Sequence, residues 1–255
     1  MPRFPKINSC GLINHYLWGL AHAGRRVSPE TGLDARVSPR DRQIMRGPVT
    51  CPRCGSALEK PGIWSSRWTC SQHGAVFPMM PIPQPSLDWA RHIVTHSPLP
   101  VWLPWPLPYA WLVTGLFVVG DEVTGIKAAA TALSGPDPIG GPGDLLLVSE
   151  EPGVGLGARY AGVNGPDPGD QLREVPDTKL PIRGRPTPLW YVPGLPDRAA
   201  YVGESEGRWL WMVLHPETTD LLLLEELQLV DMRELGDEID LVPFGALSPW
   251  LQSSG

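Results

Sequence analysis

A mainly β fold of the α+β class, with few short helices, is what this sequence of 255 residues predicts. Three observations carry the prediction. A CPRCG turn at 51–55 and a CSQHG turn at 70–74 leave fifteen residues between Cys54 and Cys70, the spacing of two knuckles joined by one β-hairpin. The chain holds 31 Pro and 28 Gly, which makes turns dense and leaves little room for long helices. Beyond residue 98, short apolar β-rich runs alternate with Gly, Pro and Asp clusters. Together they predict a small N-terminal knuckle module followed by a Trp/Pro/Gly-rich antiparallel β domain.

The N-terminal residues 1–44 differ in texture. They carry seven Lys/Arg and three Asp/Glu, whereas the remainder carries fourteen and twenty-four, within a net charge of −6. Residues 25–42 are basic and poor in apolar side chains, so the segment is expected to be a disordered extension. Met45 lies six residues before Cys51 and is expected to be the biological start. No membrane span is expected. The uncharged stretch 97–120 is broken by Pro98, Pro100, Pro104, Pro106 and Pro108, which leaves too few residues for the ~20 that a span needs.

Residues 45–77 form the knuckle module. Cys51, Cys54, Cys70 and His73 offer three thiolates and one imidazole, a Cys₃His set suited to tetrahedral zinc. Gly55 and Gly74 each follow a knuckle, where a positive φ lets backbone amides turn toward the sulfurs. Pro61-Gly62 is the expected hairpin turn, with the return strand opening at residue 63. Four protein ligands close the coordination sphere, so the metal is structural, and this is a zinc ribbon. A deaminase site is excluded, because no His-x-Glu precedes the cysteines. Cys10 is left unpaired, so there is no disulfide framework, and free thiolates suit a reducing cytoplasm.

Residues 78–97 are expected to be a linker and a short helix. Ser86 is a natural N-cap for 87–95, with Leu87, Ala90, Ile93 and Val94 on the apolar side. The closely spaced prolines of 100–108 predict an extended, polyproline-II-like strap carrying Trp102 and Trp105. These are either packed on the following domain or part of an aromatic binding surface. The β-rich domain covers 98–251. Strands are expected at 112–119, 126–133, 144–149, 189–192, 200–204, 209–214 and 221–230. The run Leu221 to Leu224 suits a central strand buried on both faces, and helical turns are expected at 231–236 and 243–251.

One glycine loop calls for comparison with nucleotide sites. Gly153, Gly155 and Gly157 follow a strand and formally match G-x-G-x-x-A. Gly162, Gly165, Pro166 and Pro168 oppose the helix such a site needs, and Glu150 and Glu151 would repel a pyrophosphate. Arg159 and Tyr160 are the residues that could still hold an anion there. His215 ends a strand and is the only histidine of the β-rich domain, but no nucleophile–base–orienter set emerges around it. No catalytic residue is assigned.

The knuckles together with VWLPWPLPYAWLVTG, SGPDPIGGPGDLLLVSEEPGVGLGARYAG, GRPTPLW, GRWLWMVL and LVPFGALSPWL resemble a family of actinobacterial zinc-ribbon proteins of unknown function. The likeness runs from about Met45 to Leu251. Family members begin just before the first knuckle, and some bear a phosphotransacetylase label. The residues supply no chemistry for that label, and the resemblance implies no catalytic residues.

Three functions follow as expectations. The first is a cytoplasmic zinc-binding interaction or regulatory protein with protein partners. The second is an enzyme or binding protein handling an acyl or phosphate ligand at Gly153–Tyr160, with His215 nearby. The third is nucleic-acid binding through Arg53, Lys60, Arg67, Trp64 and Trp68, which the acidic body opposes.

Overall fold

A computed structural model of the chain describes residues 48–253, with Trp64 and Glu226 excepted. The expected extension 1–44 and the start at Met45 lie outside the described residues. What is described is mostly β. Two short strands, β1 (Thr69–Cys70) and β2 (Gly74–Ala75), pair across the second knuckle. The other strands are β3 (Trp102–Pro104), β4 (Leu112–Asp121), β5 (Gly125–Pro136), β6 (Pro142–Glu150), β7 (Thr178–Ile182), β8 (Arg185–Tyr191), β9 (Ala199–Ser205), β10 (Arg208–His215) and β11 (Leu229–Asp231). They form one nine-stranded sheet in the order β3-β11-β7-β8-β9-β10-β6-β5-β4. Every neighbouring pair is antiparallel except β11 with β7, which meet in parallel at Leu229 and Ile182.

The centre of this sheet is apolar on both faces. Along β10, Leu210, Met212 and Leu214 enter one core layer, while Trp211 and Val213 enter the other. Along β6, Leu145 and Leu147 divide from Leu146 and Val148 in the same way. A strand covered on both sides needs no polar alternation, so these segments read as unbroken hydrophobic runs. The first layer is closed by helix α1 (Leu87–His96). Ser86 caps it by accepting the amide of Trp89 at 3.2 Å, and it buries Ala90 and Ile93 against the sheet. The second layer is closed by helix α2 (Leu156–Ala161) and by helix α3 (Pro249–Ser253). Among the described residues no helix is long and apolar enough to cross a membrane.

The outer edge of β4 is covered rather than bare. Met79 bridges Val119 at one end, and residues 243–245 run beside Val113 at the other. This occupies backbone groups that would otherwise invite another strand. The proline-broken segment after the module is therefore packed onto the sheet, with Pro78, Met79, Pro83 and Pro85 buried.

Several expectations are corrected. The run Leu221 to Leu224 is not a central strand but part of a 3₁₀ helix, Glu217–Leu224, with Leu222 buried and Leu224 83 % exposed. A short apolar run has no periodicity to separate strand from helix. The strands buried on both faces are β6 and β10. The strap is not wholly polyproline-II-like, because Trp102–Pro104 pairs with β11. Strand β7 was not anticipated. Pro181 lies within it, and Pro186 and Pro188 interrupt its partner β8, which masks the strand pattern. A short helix does open within the glycine run, at Leu156 after Gly155, and ends at Gly162.

Candidate functional site

The first knuckle closes through Gly55, whose amide donates to the Cys51 carbonyl at 2.8 Å. The second lies between β1 and β2. Gly55 and Gly74 have φ of 77° and 65°, the left-handed conformation each turn requires. Between them a hairpin arm returns on itself, with Glu59 paired to Thr69 and Gly62 to Ser65. Its tip is thus at 62–65, beyond the expected Pro61-Gly62.

These turns bring Cys51, Cys54, Cys70 and His73 together, with their donor atoms all within 4.8 Å of one another. Cys54 Sγ lies 3.7 Å from Cys70 Sγ, and His73 Nδ1 lies 3.6 Å from Cys51 Sγ and 3.7 Å from Cys70 Sγ. A tetrahedral ion with sulfur at ~2.3 Å and nitrogen at ~2.0 Å sets neighbouring donors about 3.5–3.8 Å apart, so these three separations match those of metal ligands. The sulfur separation is far beyond a disulfide's ~2.05 Å. Cys51 and Cys70 are buried, Cys54 is half-buried and His73 is exposed. Burial pushes the Cys51 thiol up to about 12, partly offset by the amides of Arg53 and Cys54. Burial also acts upward on Cys54, but the Ser56 hydroxyl, 3.4 Å from its sulfur, and the Ser56 amide outweigh it and bring it to about 6.

The module is bolted to the sheet. Arg53, between the first two ligands, donates Nη2 to the Gly153 carbonyl at 2.5 Å and Nε to that of Val154 at 3.3 Å. Trp68 Nε1 donates to Asp121 Oδ2 at 3.0 Å, at the β4–β5 turn. Burial alone would raise the Asp121 carboxyl, but hydrogen bonds from Thr124 and Trp68 hold it below the usual range. Thr50 pairs with Met79, which pairs in turn with Val119. Of the residues considered for nucleic acid, Arg53 and Trp68 are thus turned to the domain. Lys60 and Arg67 are exposed on the arm, and Trp64 lies outside the described residues.

The glycine loop has internal occupants. The Glu150 carboxylate accepts the amides of Leu156 at 2.8 Å and Gly157 at 3.2 Å, the groups a phosphate would use. Burial raises this carboxyl to about 8. Gly157 packs on the Trp211 indole, where an added Cβ would stand 2.1 Å from the ring. Gly153 donates to Asp167 at 2.7 Å, and Gly155 lies under Arg53.

Arg159, whose Nη1 is 3.9 Å from Met79 Sδ, and Tyr160 line a cleft of about 710 Å³ at the end of the sheet, where His215 also lies. The sequence named these three residues but gave no signal for their companions. Asp197 and Arg198 come from the β8–β9 connection, Asp144 from β6 and Trp250 from α3. Of the strap tryptophans, Trp102 is 2 % exposed in the core, and Trp105 donates Nε1 to Glu238 at 2.7 Å. Neither lines this cleft. His92 and His96 stack on the exposed side of α1 at 4.3 Å, remote in sequence from any third ligand.

Comparison with known proteins gives one match. Residues 45–251 fit the model of a family of unknown function, DUF6758. No curated protein and no solved structure matches the chain. The match spans the metal-ligating turns, the glycine loop and all nine strands of the large sheet, and the chain belongs to the family of unknown function DUF6758.

Proposed function

We propose that this chain is a cytoplasmic zinc-ribbon protein that acts by binding a protein partner through the arm of its ribbon. Cys51, Cys54, Cys70 and His73 hold one zinc ion. Three sulfurs and one imidazole at tetrahedral spacing favour zinc over harder ions, and four protein ligands leave no open position, so the metal is structural.

The observation that carries the reading is the module's two-sidedness. Its metal end is fixed to the domain by Arg53 and Trp68. Its arm from Glu59 to Arg67 turns outward, with Ile63 at the tip 95 % exposed between Lys60 and Arg67. An apolar side chain held out on an arm between cations suits contact with an apolar, acidic-rimmed surface.

Metal analysis of the purified chain is expected to give one zinc per chain, and Cys51→Ala/Cys54→Ala to give none. A photo-crosslinker placed beside Ile63 is expected to capture a protein that Ile63→Asp, still zinc-loaded, fails to hold. Equal capture by both chains would remove the arm from the function.

A further inference from the structure

A small apolar hollow lies where the end of the strap, the β5–β6 turn and the 3₁₀ helix Glu217–Leu224 meet, with a volume of about 180 Å³. Pro108, Tyr109 and Trp111 form one wall, Pro136 and Pro138 a second, and Leu222 the third. The walls are tied together. Asp137 Oδ2 accepts the hydroxyls of Thr218 at 3.0 Å and Thr219 at 2.7 Å, and its Oδ1 accepts the amide of Ile139 at 2.9 Å. These bonds join the β5–β6 turn to the 3₁₀ helix and engage both oxygens of the carboxylate. The Trp111 indole packs on Gly135, where an added Cβ would stand 2.4 Å from the ring. Ala110 holds a φ of 61°, which a non-glycine residue seldom adopts, and Tyr109 beside it is 93 % exposed. A preformed hollow with an aromatic ring standing at its rim has the form of a contact site.

The hollow and the arm of the metal-ligating module are opposite in charge. The walls of the hollow come from stretches 92–126, 128–158 and 209–232, none of which contains a Lys or Arg. With Asp137 engaged inside, Glu225 is the carboxylate that the hollow presents at its exposed edge. On the arm, residues 60–67 hold Lys60 and Arg67 and no acidic residue, with Ile63 95 % exposed between them. Among the described residues no ion pair engages Lys60, Arg67 or Glu225. At that exposure Ile63 does not fill the hollow of its own chain.

We propose that the partner met by the arm is a second copy of this chain. Ile63 of one copy enters the hollow of the other, against Tyr109 and Leu222, and its flanking Lys60 and Arg67 meet Glu225. The proposal rests on the arm reading given above and names its partner. A cavity of about 150 Å³ takes up a benzene, so about 180 Å³ suits one branched aliphatic side chain and falls short of the usual cofactor site. The contact buries the apolar tip of the arm and sets opposite charges at the rim, where they steer the encounter and fix its register. Every copy carries both arm and hollow, so the contact closes as a pair or continues head to tail.

Sedimentation velocity on the zinc-loaded full chain tests it. The mean mass should rise with concentration above that of one chain. Ile63→Asp and Tyr109→Asp, both at exposed positions, should each raise the dissociation constant about tenfold or more. Mixed together, these two variants should associate one to one, because the intact arm of the Tyr109→Asp chain still meets the intact hollow of the Ile63→Asp chain. Glu225→Lys should weaken the contact several-fold, and Lys60→Glu/Arg67→Glu in the same chain should restore it. Melting curves and zinc content matched to the parent separate lost association from lost fold. A chain that stays monomeric up to about 1 mM overturns the proposal. So does association that survives both Ile63→Asp and Tyr109→Asp, or a mixture of the two that stays monomeric. A monomeric chain whose crosslinker beside Ile63 captures a different protein overturns it while leaving the arm reading intact, which tells the two failures apart.

Discussion

The knuckle module and the nine-stranded sheet are held together by opposite means. Around the metal group the buried apolar side chains are few, and residues 59–67 are exposed apart from Trp64, which is not described. The sheet is sandwiched between two apolar layers, and Leu145, Leu146, Leu147, Trp211 and Val213 are all at most 1 % exposed. A segment of this size cannot bury enough surface to offset its chain entropy, so on the proposed function an ion held by the Cys₃His group takes the place of a core. The difference teaches where each region is vulnerable: one to loss of metal, the other to loss of volume.

Metal removal gives the largest expected effect. Structural zinc is worth about 10–16 kcal/mol to a small domain, so chelation should unfold residues 51–75 while leaving the sheet intact. Hydrogen exchange should show amides of the module unprotected and those of β5, β6 and β10 unchanged. Loss of protection in the sheet would mean that the two regions fold as one. The converse is Leu147→Ala, which removes a side chain from the middle of the first apolar layer. It should lower global stability by about 2–5 kcal/mol in denaturant titration, with one metal ion still bound per chain below the transition.

Charge inside the sheet's second layer should be visible in pH dependence. Burial raises the Glu150 carboxyl to about 8 in the folded chain, above its ordinary 4.5. A raised folded value means that the folded chain binds the proton more tightly than the unfolded chain does. Its contribution is therefore most favourable below about 4.5 and is lost as pH rises toward about 8, a change on the order of a few kcal/mol. Glu150→Gln should flatten that slope while keeping an oxygen acceptor for only one of the Leu156 and Gly157 amides, which now meet two different oxygens. A slope that survives the substitution would place the titration elsewhere.

The two regions also differed in how far the sequence disclosed them. The Cys₃His cluster was legible because metal-ligand chemistry sets residue type and spacing together, and the left-handed Gly55 and Gly74 follow from that geometry. Strands with clean turn signals, such as β4, β5 and β9, were legible too. Where burial is two-sided, the apolar run loses its period, so Leu221 to Leu224 resembled a core strand while being a 3₁₀ segment. Prolines hid β7 and the first half of β8, whose end overlaps the strand expected at 189–192. The cleft was only half legible. Arg159, Tyr160 and His215 stood out as residue types, but the companions that place them, Asp144, Asp197, Arg198 and Trp250, converge only through the fold. The glycine loop was suggestive as a string, yet its glycines answer to Trp211 and Arg53, neighbours that a local pattern cannot display.

Arg53 is where the two modes of stability meet, and it gives the smallest but most discriminating prediction. Its backbone belongs to the metal turn, and its guanidinium is spent on the carbonyls of Gly153 and Val154, just before α2. Arg53→Ala keeps all four ligands, so the chain should still bind one zinc ion. It leaves two carbonyls without their charged donor, which should cost about 1–3 kcal/mol. The cost should appear locally, as faster exchange of amides 153–163, because α2 is only six residues long and has little helical stability of its own. Lys at this position would restore charge but not the paired donors of a guanidinium, so Arg53→Lys should recover only part of the protection. If zinc removal loosens 153–163 as Arg53→Ala does, and the two together add nothing further, the metal acts on the cleft's helix through this one side chain. If the effects add, the module and α2 are coupled through Met79 and the edge of β4 as well, and the division between a metal-held and a burial-held region is less sharp than their separate packing suggests.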